Sequence, residues 1–226
     1  MRHFTKIFLL AVLLIVSTAG NAFAANSLDV NANAALQGSF GLEVLIDGAD
    51  NLGEAYVVSD HPVTETTYNF KFLIDPTNLT AAAERFFIMG SIKKTDPPVR
   101  NFLLIYLRRS GNGQFWEIQS NVRDDSNSFQ AWQAPIKICG DAGTAIPCTS
   151  VAPVEFEFQW QAASAPGAND GSLRILKNGT VRVEFLNIDN DAQTIDEALF
   201  GAIFMSNATQ GNAAGSYYFD EFVSTR

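Results

Sequence analysis

Between residues 152 and 191 apolar and polar side chains alternate with a period of two. Val154, Phe156, Phe158 and Trp160 fall on one parity, and Glu155, Glu157, Gln159 and Gln161 on the other. Side chains alternate across a strand, so the run predicts an extended segment with one apolar and one wet face, Trp160 included in the apolar one. Leu173, Ile175 and Lys177, then Val181, Val183 and Phe185, carry the period to either side of Asn178-Gly179. That dipeptide takes positive φ at little cost and predicts a two-residue hairpin.

The same pattern recurs along the chain. Residues 66–75 set Tyr68, Phe70, Phe72 and Ile74 against Asn69, Lys71 and Leu73, and further strands are predicted over 40–46, 54–58, 85–93, 99–108, 114–122 and 127–134. The prolines of KTDPP confine that stretch to a connection. LFGAIFM, residues 199–205, is apolar throughout and predicts a strand buried on both faces, and SYYFDEFV, residues 216–223, predicts a closing strand paired deep in a sheet. Only PTNLTAAAE has helical character, of one turn at most. About a dozen short strands without a long helix or a tandem repeat predict an all-β, two-sheet antiparallel sandwich.

The first 24 residues look like a leader. Arg2 and Lys6 precede an apolar run over 7–16, and Ala22-Phe23-Ala24 ends in a small-residue cleavage pattern. The run is short for a membrane span. The expectation is a secreted protein, extracellular or periplasmic, cut near Ala24, with no membrane span in the mature chain. Residues 25–38 are small and polar and predict a flexible start to a domain over 39–226.

The full chain of 226 residues has a formal net charge of −9, and loss of Arg2 and Lys6 leaves 13 basic against 24 acidic side chains, a net −11. Such a surface argues against nucleic acid and anionic lipid, which need clustered Lys and Arg. Cys139 and Cys148 are the only cysteines. In an exported chain they predict a disulfide across CGDAGTAIPC; His61 would be the sole mature histidine, too few for a zinc site.

The tryptophan-bearing strand, AASAPGANDGSLRILKNGT, the LNIDND loop, LFGA, YYFDEF and, near the start, GLEV and AYVVSD resemble bacterial secreted members of the concanavalin A-like lectin/glucanase superfamily, near the laminin G-like jelly rolls. The resemblance implies a curved two-sheet jelly roll that holds glycan on one face in its sugar-processing members. It also implies, in several members, a structural calcium between the first and last strands; the matching carboxylate here is Asp220, with carbonyls near Phe40 and Gly41.

The glucanase branch carries E-x-D-x-E on one strand. The nearest run here is Glu155-Phe156-Glu157-Phe158-Gln159, with Gln159 in place of the second catalytic acid, so the pattern is not met. Glu155 and Glu157 share one strand face about 7 Å apart, a weak alternative for a hydrolase or lyase, because paired acids must flank the scissile bond. Ser59, Asp60 and His61 are consecutive in SDHPVTE and read as a surface loop, not a triad. Lyase chemistry, which often recruits Tyr, His and Arg, shows no run either. Glycan binding needs only a ring to stack on and polar groups nearby. The candidates are Trp116 and Trp132, with Gln114, Gln119, Asn121 and Arg123. The expected function is an exported, non-catalytic jelly-roll module binding polysaccharide or making surface contacts; a hydrolase, a lyase or a purely structural protein is the alternative. The acidic turns RDDSN and NIDND are further places where calcium could sit.

Overall fold

The computed structural model describes residues 26–47, 54–84, 86–95, 100–130, 134–139, 152–204 and 213–225. The leader at 1–24, Trp132 and Cys148 lie outside them. Fourteen strands form: β1 (Ser27–Asn31), β2 (Gly41–Ile46), β3 (Ala55–Glu65), β4 (Thr67–Asp75), β5 (Leu79–Thr80), β6 (Phe86–Lys94), β7 (Arg100–Arg109), β8 (Trp116–Val122), β9 (Ile136–Lys137), β10 (Val154–Gln161), β11 (Gly171–Lys177), β12 (Thr180–Ile188), β13 (Ile195–Phe204) and β14 (Ala214–Thr225). They make two antiparallel sheets. One has the order β1-β2-β14-β4-β10-β11-β12, with β5 pairing onto β14; the other runs β3-β13-β6-β7-β8-β9. This is the two-sheet antiparallel sandwich expected from the alternating pattern, in the jelly-roll form that the resemblance implied.

The parity reading holds in the core. Phe156 and Phe158 are fully buried and Trp160 is 2% exposed, on the face opposite Glu155 and Glu157. Phe158 stacks on Phe70 of the neighbouring β4, centroids 4.9 Å apart, and Phe200 of the other sheet meets Phe70 edge-on at 5.4 Å. Trp160 meets Phe102 across the sandwich at 5.1 Å. Each such ring removes enough apolar area from water to stabilise the fold by about 1.5–3 kcal/mol. The hairpin between β11 and β12 turns at Asn178 and Gly179, both at positive φ, and β14 lies between β2 and β4 inside its sheet.

Three local expectations are corrected. Within 25–38, expected to be flexible, β1 pairs with β2 from Ser27↔Leu45 to Asn31↔Gly41, and a 3-10 turn, Ala32–Ala34, follows with Asn31 Oδ1 accepting from the amides of Asn33 and Ala34. An exposed edge strand is held by backbone pairing, which leaves no apolar alternation to read. SDHPVTE is part of β3, not a loop. In 127–134 the described residues form no strand, only an isolated bridge between Phe129 and Arg123.

Candidate functional site

Each sheet turns one face to the core and one away from it. On the eight-stranded sheet the outward face of β10 carries the two glutamates proposed as a weak catalytic pair. Glu155 Oε2 is 3.0 Å from Lys71 Nζ, and this contact holds the Lys71 ammonium above its ordinary pKa. Glu157 Oε1 accepts from Gln159 Nε2 at 2.7 Å. Arg174 and Glu184 pair on the adjoining strands at 2.8 Å. Lys71–Glu155 and Arg174–Glu184 are cross-strand pairs and Glu157–Gln159 a contact along β10; on a sheet face open to water each is worth little to stability. Both acids stand on one strand side by side, not on two sides of a cleft.

The outward face of the six-stranded sheet is different. Leu103, Ile105 and Leu107 of β7 and Trp116, Ile118 and Val122 of β8 belong to the core, so the intervening residues emerge on the other side. Strand register then sets them in rows across β6, β7 and β8. Phe86, Arg108 and Glu117 form one row, continued by Lys137 of β9; Ile88, Tyr106 and Gln119 form the next; Ser91, Leu104 and Asn121 the third. Arg123 continues the Glu117, Gln119, Asn121 parity.

This outward face is largely withdrawn from water. Tyr106 is 6% exposed, Glu117 8%, Ser91 1% and Asn121 0%. Neither Oδ1 nor Nδ2 of Asn121 has a hydrogen-bond partner, and Ser91 Oγ has none. An unmatched buried polar atom costs about 1–3 kcal/mol, so three together call for an explanation in function. Burial pushes the Tyr106 phenol above its ordinary pKa, with Arg123 pulling the other way. Burial also raises the Glu117 carboxyl, opposed by Arg108 and Lys137. The Glu117 shift moves that carboxyl toward the range of a general base, while the Tyr106 phenol stays protonated. Among the residues whose side chains are described, Lys93, Arg108 and Lys137, with Arg123 at the end of β8, outnumber Glu117 and Glu197 on these rows, against a net charge of −9 for the chain.

The predicted ligand-binding residues divide between places. Gln119 and Asn121 share this face. Arg123 sits at its end, where the guanidinium lies 3.6 Å above the Phe129 ring and Nη1 donates to Asn127 O and Oδ1. Gln114 belongs to the turn before β8, its amide donating to Asn112 Oδ1. Trp116 is 1% exposed, packed edge-on against Phe87 at 6.3 Å with the Arg109 guanidinium 5.1 Å from its ring. It offers no face to a sugar: its parity is that of Ile118 and Val122. Cys139 is buried and not a free thiol. Asp220 Oδ2 accepts from the amides of Leu36 and Gln37, and Oδ1 from Glu221, each at 2.8 Å. Through these three N–H donors Asp220 clamps the β1–β2 connection. Tyr106, Glu117 and Ser91 were missed, although a lone tyrosine in the apolar run LLIYL was a signal.

With this arrangement in view, comparison with solved structures places the scaffold. The chain is similar to an endo-β-1,4-glucuronan lyase from the fungus Trichoderma reesei, with a TM-score of 0.61 and 13% identity over 89% of this chain and 87% of that one. It is similar to a cellulose-induced protein, Cip1, at 0.54 and 13% over 92% and 89%, and to the alginate lyase from Klebsiella pneumoniae at 0.53 and 11% over 84% and 83%. The likeness is one of fold. No family model matches the sequence, and no curated protein matches it. Among the described residues no helix is long and apolar enough to cross a membrane.

Proposed function

We propose that this protein is an exported glycan lyase that cleaves a uronic-acid polysaccharide on the outward face of the six-stranded sheet. The observation that carries the reading is Asn121, fully buried with both amide atoms unmatched, two residues along β8 from Gln119 and diagonal to Tyr106 on the adjoining β7. The neighbours of this fold that are named as glucuronan and alginate lyases support it, as does the excess of basic side chains among those described on these rows. Of the two tryptophans named for a binding module, Trp116 is in the core and Trp132 lies outside the described residues.

β-Elimination needs three things: a donor set for the uronate carboxyl, a base for the C5 proton and an acid for the leaving oxygen. Asn121 and Gln119 donate to the carboxyl, strengthening as it takes on enolate charge when the C5–H bond breaks. Glu117, with a raised carboxyl pKa, accepts that proton. The freed electron pair forms the C4–C5 double bond as the C4–O bond breaks, and Tyr106, kept protonated by burial, gives its proton to the departing oxygen. Glu117 and Tyr106 are diagonal cross-strand neighbours, roughly 7–8 Å apart. Proton exchange with solvent restores both groups.

The test is incubation of the purified mature chain with glucuronan and alginate, following the ultraviolet absorbance of the new double bond conjugated to the carboxyl. Unsaturated ends accumulating from one polymer are expected. A polymer retained by the protein without unsaturated product would instead make it a binding module.

A further inference from the structure

Beyond Arg123, past the end of β8, two acidic turns far apart in the sequence meet. Asp125, in the turn after β8, and Asp189 and Asp191, in the turn after β12, each bring a carboxylate oxygen within 4.8 Å of the others. The local sequence accounts for the convergence. Asn190, between the two aspartates, is fully buried; its Oδ1 accepts from Ala163 N at 2.7 Å and its Nδ2 donates to Gln161 O at 3.3 Å. A Cβ on residue 171 would stand 1.8 Å from that Oδ1, so the anchor depends on Gly171. Backbone and side chain tie the two turns together: Asp125 N donates to Asp189 O at 2.8 Å, and Ala192 N to Asp125 Oδ2 at 3.1 Å.

Carboxylates so close repel one another unless a positive charge joins them. A second observation points to such a charge. Gln193 is 2% exposed, and its terminal amide reaches into the cluster, Nε2 lying 3.2 Å from Asp125 Oδ1 and 3.2 Å from Asp124 O. Those two acceptors fix which end of the amide is nitrogen, and the Oε1 beside it is buried with no partner. Asp189 Oδ1 is buried and unmatched as well. The unmatched buried atoms at the cluster, Gln193 Oε1 and Asp189 Oδ1, are both oxygens, and the carboxylates add only oxygens.

We propose that Asp125, Asp189, Asp191 and Gln193 form a calcium site that locks the turn after β8 to the turn after β12. Calcium takes six to eight oxygens in irregular geometry and completes its shell with carbonyls and water, whereas magnesium demands a near-ideal octahedron.

The experiment strips the full mature chain with chelator and follows thermal unfolding during titration with calcium or magnesium chloride. Calcium is expected to raise Tm saturably, with a Kd on the order of 10⁻⁴–10⁻³ M as in other extracellular modules, and magnesium to raise it less. Asp191→Asn is expected to weaken calcium binding about tenfold or more through lost ligand charge, while Tm in chelator stays level or rises because a like charge beside Asp125 is gone. Asp189→Asn supplies the same calcium comparison if the first variant fails to fold. A Tm that calcium leaves unmoved in the native chain, or a calcium response unchanged in the variants, overturns the proposal. No polysaccharide enters this experiment, so its outcome is independent of the lyase reading.

Discussion

Replacing Tyr106 by phenylalanine is expected to lower kcat on the cleaved polyuronate by about 10²–10⁴-fold, the contribution of one positioned proton-transfer group, with KM little changed. The ring and its edge-on contact with Phe86, centroids 5.6 Å apart, survive the substitution, so the loss is one of chemistry and not of packing. The pH profile carries the sharper signature. Glu117 works as a base and must be ionised, so activity rises with pH through its pKa. Because burial raises that pKa, the rising limb stands at higher pH than for an ordinary carboxylate. Tyr106 works as an acid and must be protonated, so activity falls at alkaline pH, above the range of an ordinary phenol. Initial rates across pH should show a bell for the native chain and no falling limb for Tyr106→Phe. An unchanged kcat in that variant would remove Tyr106 from proton transfer.

Phe158→Ala is expected to be the most damaging single change to stability among the core rings of β10. The side chain is fully buried, stacks on Phe70 at 4.9 Å with the planes 3° apart, and lies 6.1 Å from Phe72. Truncation leaves a cavity between two sheets whose backbones are held by ladders on both sides, so collapse around it is limited. The cost is about 3–5 kcal/mol, a large part of a domain's total of roughly 5–15 kcal/mol. For a domain of this size that corresponds to a Tm lowered by about 6–20 °C. A shift of a degree or two would place Phe158 outside the packed centre.

The strands were legible because each carries its own record of which side faces the core. Val154 to Gln161 spells out its two faces residue by residue, and the Asn178-Gly179 turn fixes where the next strand returns. β1 was not legible: an edge strand with most of its side chains in water is defined by its partner's backbone, and the Asp220 clamp that secures the chain after it comes from the opposite end of the sequence. The site was half legible. Gln119, Asn121 and Arg123 were singled out as polar groups near tryptophans, yet Trp116 is of opposite parity and had to face inward with Ile118 and Val122. Applying to β8 the two-residue rule that placed Trp160 in the core would have separated them. Tyr106 and Glu117 gain their character from burial, and burial on a sheet's outward face depends on which strands become neighbours. The acidic turns illustrate the same limit, since RDDSN and NIDND are each an ordinary polar turn until the fold sets Asp125 against Asp189 and Asp191.

The central claim is that the chemistry belongs to the outward face of the six-stranded sheet and not to the glutamates of β10. The most direct measurement compares polyuronate cleavage, by absorbance of unsaturated ends, in Asn121→Ala and in the double variant Glu155→Gln/Glu157→Gln, with thermal unfolding showing both to be folded. Loss of roughly 10²–10³-fold in kcat in the first, as for removal of one donor to a developing charge, with near-native rates in the second, is the predicted result. Near-native rates in Asn121→Ala with loss in the glutamate variant would contradict it.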